Sequence, residues 1–106
     1  MKNCFDDIVK IMTVENESVE PGKMMSSEGI KYKGKVFAFY YKDKMVFRLG
    51  KNYAISKHGI EEFEYLNPFK NKPPMKGWYE IEVKYSDKWL ELAEVSMEVM
   101  KKEIDK

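Results

Sequence analysis

The apolar residues near both ends of the chain recur with the period of an α-helix. Near the N-terminus they occupy positions i, i+3, i+4 and i+7, which form one helical face: Phe5, Ile8, Val9 and Met12. A longer stripe near the C-terminus follows Ser86, a residue type that can cap a helix. Its members are Trp89, Ala93, Met97, Met100 and Ile104. Each end is therefore predicted to be an amphipathic helix with its apolar side on a core.

Between these helices the pattern changes to that of β-strands. The segment from Glu15 to Gly22 breaks the helical pattern at Pro21-Gly22 and is predicted to be a loop. A three-stranded antiparallel meander follows, with tight turns at 32–35 and 42–44. Its middle strand covers 35–41, and strict alternation places one set of aromatic residues on a single face: Phe37, Phe39 and Tyr41.

The second half of the chain predicts a short helix, two more strands and a proline-rich loop. A helix over 52–58 ends at Gly59, and a fourth strand covers 60–66. The loop 67–76 precedes a fifth strand over 77–83, in which Tyr79, Ile81 and Val83 share the apolar face. The predicted fold is α+β, in the order α-β-β-β-α-β-β-α. Hairpin connections imply a five-stranded antiparallel sheet with helices on one face.

Composition favours one globular domain over residues 1–106. Hydrophobic residues make up 43% and aromatic residues 14% of the chain, which argues against disorder. The net charge of +1 gives no bulk attraction to DNA or to a membrane surface. No apolar run has the length of a membrane span, the N-terminus does not resemble a signal peptide, and one cysteine fits a reducing compartment. We therefore expect a cytoplasmic protein, either a monomer or a homodimer.

No catalytic or metal-binding constellation emerges from the sequence. His58 is the single histidine and Cys4 the single cysteine, and neither has ligand spacing or a neighbouring nucleophile–base pair. We interpret His58 as a polar residue at the end of a short helix. Neighbouring carboxylates alternate with core positions or lie at a helix start, and no glycine-rich phosphate loop is present. We expect no enzymatic activity, no metal and no cofactor.

One charged segment indicates a binding function. Residues 31–51 contain seven basic residues and one acidic residue, interleaved with aromatic residues. Basic strands with exposed aromatics bind single-stranded nucleic acids by phosphate attraction and base stacking. The alternative is that the lysines keep the turns and strand edges solvated while the aromatics pack the core. The candidate nucleic-acid surface consists of Lys33, Lys35, Lys42, Lys44 and Arg48.

A second candidate surface surrounds Trp78. Alternation places Trp78 opposite the apolar face of its strand, where it would lie on the open sheet face or beneath the preceding loop. Alternatively, Gly77 introduces a bulge that turns Trp78 into the core. Exposed tryptophan and methionine beside a stiff loop are typical of an interaction hot spot. The candidate partner surface consists of Pro73, Pro74, Met75 and Trp78.

Two motifs, in order and suitably separated, resemble the TfoX N-terminal domain family, which is related to the YjbR-like proteins. The first begins at Gly29 and continues through Gly34-Lys35-Val36-Phe37-Ala38, and the second is Pro74-Met75-Lys76-Gly77-Trp78. The resemblance implies a two-layer α-β(3)-α-β(2)-α fold similar to secretion chaperones, without established catalytic residues. It favours a regulatory module that binds an unidentified protein partner. The alternative function is weak nucleic-acid binding through the meander Lys31–Lys51.

Overall fold

A computed structural model describes residues 2–24, 27–51, 53–66 and 75–105. The fold is α+β, with one antiparallel six-stranded sheet in the order β1-β2-β3-β4-β6-β5 and two α-helices. The predicted fold class is therefore confirmed, although the sheet has six strands rather than five. The elements are α1 (Lys2–Glu15), β1 (Val19–Met24), β2 (Ser27–Tyr32), β3 (Lys35–Tyr41), β4 (Lys44–Arg48), β5 (Glu64–Leu66), β6 (Met75–Glu82) and α2 (Trp89–Ile104).

The sixth strand, β1, lies where the sequence predicted a loop. It pairs with β2 from Val19 opposite Tyr32 to Met24 opposite Ser27, and Val19 is buried. Pro21-Gly22 was interpreted as part of a loop that follows the helix, but Pro21 lies in β1, which is an edge strand. The Ser18 carbonyl accepts the Lys33 N–H at 3.0 Å, so alternation turns the backbone of Pro21 away from β2. A missing N–H at that position removes no hydrogen bond from the sheet.

A β-bulge in β3 overturns the predicted alternation of its aromatic residues. Ile30 pairs with Ala38 but Lys31 pairs with Val36, so Phe37 is an extra residue in the strand. Phe37 consequently lies on the helix-covered face with Ala38, and Phe39 lies on the opposite face. The predicted grouping of Phe37 with Phe39 and Tyr41 was wrong because alternation assumes an unbroken pleat.

Gly29, which pairs with Phe39, lies where β2 and β3 are packed closely together. A Cβ on Gly29 would lie 2.6 Å from the Ala38 carbonyl oxygen and 2.9 Å from the Phe39 Cβ. The backbones of β2 and β3 approach too closely there for any side chain.

Both helices cover the same face of the sheet. Phe5, Ile8 and Met12 of α1 join the main core, as do four members of the predicted C-terminal stripe: Trp89, Ala93, Met97 and Met100. Tyr79 and Ile81 of β6 belong to the same core, so the stripe lies on the same face of the sheet as these residues, as predicted, while α2 itself passes mainly over β3 and β4. On the opposite face a smaller cluster buries Phe39, Val46 and Leu66, and Val36, Tyr41 and Trp78 pack against it.

The connections after β4 differ in detail from their predictions. The short helix is a single 3-10 turn, Ile55–His58, and ends at Gly59 in the left-handed conformation as expected. The fourth strand is confined to β5, and β6 begins at Met75, within the predicted loop. The remainder of that loop, with Pro73 and Pro74, lies outside the described residues. A 3-10 segment, Val83–Lys88, precedes α2, so the N-cap residue of α2 is Lys88 and the predicted side-chain cap at Ser86 does not form.

Candidate functional site at the end of α2

Trp78 lies on the helix-free face of the sheet, as strand alternation predicts. Its ring centroid is 5.7 Å from that of Phe39, with the ring planes inclined at 54°. The pairing of β4 with β6 stays regular through Arg48 opposite Trp78, so no bulge turns the indole into the main core. On the other side of β6 the register shifts, because Tyr65 pairs with Tyr79 but Leu66 pairs with Met75, so residues 76–78 have no partner in β5. The Gly77 carbonyl in this stretch accepts the N–H groups of both Leu49 and Gly50. Trp78 is therefore partly buried on a fully buried aromatic support.

The five cations of the candidate nucleic-acid surface are divided between two ends of the sheet. The β2–β3 turn, with Lys33, comes before β3, and the β3–β4 turn, with Lys42, comes after it. Lys35 and Arg48 lie near the first turn, and Lys44 lies beside the second. A seven-residue strand is about 20 Å long. These side chains consequently do not form one continuous basic patch.

Three of these cations are paired with carboxylates. Lys33 Nζ lies 2.7 Å from Asp105 Oδ1, and Lys44 Nζ lies 3.4 Å from Glu80 Oε1. Arg48 Nη1 forms an ion pair with Glu103. Within the described part of the chain, Lys35 and Lys42 have no carboxylate partner, and the Lys42 ammonium lies 5.1 Å from the Tyr41 ring centroid. The unpaired cations are thus at opposite ends of β3.

A groove at the first of these ends brings residues of both predicted surfaces together. It lies where the last turn of α2 passes the ends of β3, β4 and β6, and its volume is about 470 Å³. Neither surface was predicted to include residues of α2. The described residues that line the groove are Lys35, Val36, Arg48, Trp78, Met100, Glu103 and Ile104.

The groove holds hydrogen-bond donors that have no protein partner among the described residues. Arg48 Nη1 contacts both Glu103 and the Met100 sulfur, the latter at 3.6 Å, while Nε and Nη2 make no further bond. The Trp78 indole N–H and the Lys35 ammonium are likewise unpaired within the same ranges. With one carboxylate against two cations, the lining carries a local charge of about +1 at neutral pH.

The last turn of α2, which forms one wall of the groove, is fixed to the β2–β3 turn. Asp105 accepts a hydrogen bond from the Tyr32 hydroxyl at 2.6 Å and from the Lys33 ammonium at 2.7 Å. These bonds, that from Lys33 above all, hold the pKa of the Asp105 carboxyl below its usual value. The carboxylate also raises the pKa values of Tyr32 and Lys33.

His58 takes part in a network that the sequence did not indicate. Its Nε2 lies 2.6 Å from the Tyr53 hydroxyl, and its Nδ1 contacts the carboxylate of Glu91 on α2. The side chain is 10% exposed. His58 is 5 positions from Tyr53 and 33 positions from Glu91 in the sequence, so no local motif could have predicted that the three side chains meet. The geometry joins the 3-10 turn to α2, consistent with the structural interpretation of His58.

A second, larger cavity of about 540 Å³ lies between α1 and the β1–β2 hairpin. Two acidic and two basic residues share its lining with Phe5, Val9 and Pro21, so it has no net charge preference. Within the described ranges, no three His, Cys, Asp or Glu side chains are grouped as metal ligands. None of the helices described here has the length and apolarity needed to cross a membrane.

Comparison of the chain with family models, with curated proteins and with solved structures gives no match.

Proposed function

We propose that this chain is a non-catalytic, cytoplasmic TfoX-N-like domain that binds a protein partner through the sheet surface around Trp78. The observation that carries the proposal is the position of Trp78 on the face without helices, packed on the fully buried Phe39. Partly exposed tryptophans on a rigid support are the side chains that most often dominate binding energy at protein interfaces.

The rigidity of this surface favours binding. Phe39, Val46 and Leu66 beneath it are each 0% exposed, so their rotamers are fixed by packing. Tyr41 lies beside them, with its ring centroid 6.4 Å from that of Phe39. A surface that is ordered before binding loses little side-chain entropy when a partner covers it.

Nucleic-acid binding along the whole meander has less support than protein binding around Trp78. It needs free cations that follow a strand of phosphates, whereas Lys33, Lys44 and Arg48 are paired with carboxylates at two separate ends of the sheet. The protein-binding proposal requires no such alignment.

Site-specific photo-crosslinking in the native host tests the proposal. With p-benzoylphenylalanine in place of Tyr41, we expect one adduct of defined mass, which the additional change Trp78→Ala abolishes. The same crosslinker in place of Val14, which is 85% exposed on α1, gives no such adduct. In urea unfolding, Trp78→Ala should reduce stability by only about 1 kcal/mol, against about 3–5 kcal/mol for a core tryptophan. An adduct that persists in the Trp78→Ala background, or a core-sized loss of stability, contradicts the proposal.

A further inference from the structure

From the groove at the end of α2 we infer a binding site for a small planar aromatic ring that carries an anionic group, the chemistry of a mononucleotide. This inference goes beyond the proposed protein-binding function and does not rest on it. It requires only the groove, whose described lining combines an indole, two cations, one carboxylate and three apolar side chains.

The apolar half of the lining suits an aromatic ring. Trp78 lines the groove, and its ring centroid lies 5.7 Å from that of the buried Phe39. Val36 lies on the same face of the sheet, and Met100 and Ile104 come from α2 across the groove. Stacking of a base on an aromatic side chain is a major contribution to nucleotide binding and tolerates any planar ring.

The cationic half suits the anionic group. Lys35 has no carboxylate partner in the described part of the chain, and Arg48 uses one guanidinium nitrogen for Glu103. The remaining Arg48 donors can therefore bind phosphate or carboxylate oxygens while the pair with Glu103 stays intact. A phosphate monoester carries nearly two negative charges at neutral pH, which complements the positive lining.

The size and isolation of the groove favour a single unit over an extended strand. A volume of about 470 Å³ lies within the range of small-molecule sites. Lys42, the other unpaired cation of the candidate nucleic-acid surface, is at the far end of β3, about 20 Å away. A polynucleotide would cross paired charges along that distance and gain few additional phosphate contacts.

The two tryptophans of the chain allow a direct test by NMR on the purified protein. Adenosine 5′-monophosphate is titrated while the two indole N–H signals are followed. We expect saturable shifts of the Trp78 signal, with the signal of Trp89, which is 0% exposed, unchanged. Adenosine, without the phosphate, and ribose 5-phosphate, without the ring, should each bind at least about tenfold more weakly than the intact nucleotide.

Variants separate this site from general charge attraction. Lys35→Gln should weaken nucleotide binding by about three- to tenfold, whereas the matched change Lys42→Gln at the far end of β3 leaves it unchanged. Glu103→Gln removes the competing carboxylate and should tighten binding of the nucleotide on the order of threefold without affecting adenosine. A merely structural role for Glu103 predicts no such gain.

Three results would overturn the inference. The first is the absence of a saturable shift of the Trp78 signal at millimolar nucleotide. The second is equal weakening by Lys35→Gln and Lys42→Gln, which indicates diffuse charge attraction. The third is tight binding of a single-stranded oligonucleotide, weakened by Lys42→Gln, with no binding of the mononucleotide. None of these results would bear on crosslinking of a protein partner at Tyr41.

Discussion

At the scale of single residues, two buried polar atoms lack hydrogen-bond partners in the described structure. These are the hydroxyl of Ser96 and the indole N–H of Trp89, both in residues that are 0% exposed. A buried polar group without a partner loses its hydrogen bonds to water and gains nothing in exchange. Both residues lie on α2. Burial of this helix against the core therefore leaves two polar groups without hydrogen bonds, which lowers the stability of the fold.

Replacing Ser96 by alanine should therefore stabilise the fold. The change Ser96→Ala removes the unpaired hydroxyl and introduces the residue with the highest helix propensity, so we expect a gain of about 0.5–2 kcal/mol in urea unfolding. The matched control is Ala93→Ser, one turn earlier and also 0% exposed, which should lower stability by a similar amount. Destabilisation by Ser96→Ala would mean that the hydroxyl has a partner after all.

At the scale of secondary-structure elements, the C-terminal end of α2 is held by side-chain bonds to the sheet as well as by its cap, in which the Asp105 N–H donates to the Lys101 carbonyl at 2.7 Å. Asp105 accepts hydrogen bonds from Tyr32 and Lys33, and Glu103, two residues earlier, pairs with Arg48. The end of the helix thus depends on the ionised state of carboxylates.

The contribution of Asp105 should depend on pH. Its pKa is lower in the folded protein than the ordinary value of 3.8, because the charged form accepts bonds from Lys33 and Tyr32. The stabilisation is therefore complete above the unfolded pKa and is lost as the pH falls through the folded pKa. In urea unfolding, wild type should exceed Asp105→Asn in stability at pH 7, and the difference should close towards pH 2. A difference that is unchanged over this range would contradict the assignment.

The elements also show which features the sequence could predict. The helical stripes and the β3–β4 hairpin follow from local periodicity, and the structure confirms them. Periodicity could not reveal the bulge at Phe37. One extra residue moves a side chain to the other face of the sheet, but it leaves the apolar character of the segment the same. The strand β1 was missed because Pro21 is compatible with a strand only at an edge, and the edge position is a property of the assembled sheet.

At the scale of the whole molecule, the groove is built from four elements, of which only β3 and β4 are neighbours in sequence. Lys35, Arg48 and Trp78 were each singled out from the sequence, but as members of two different surfaces. These three side chains come together only because β6 pairs with β4 in the sheet. The groove also needs α2, which passes the ends of these strands. Neither follows from local pattern, because the order depends on how strands separated by long connections pair.

The placement of Pro21 in the edge strand has a consequence for association between chains. Exposed edges template cross-β stacking, the route by which β-rich proteins form fibrils, and a central residue without an N–H interrupts that template. At the opposite edge, β5 has only three residues, too few to seed a stack. We expect Pro21→Val to leave the urea midpoint nearly unchanged but to shorten the lag time of thioflavin-positive aggregation under agitation. An unchanged lag time would show that other features keep this sheet from polymerising.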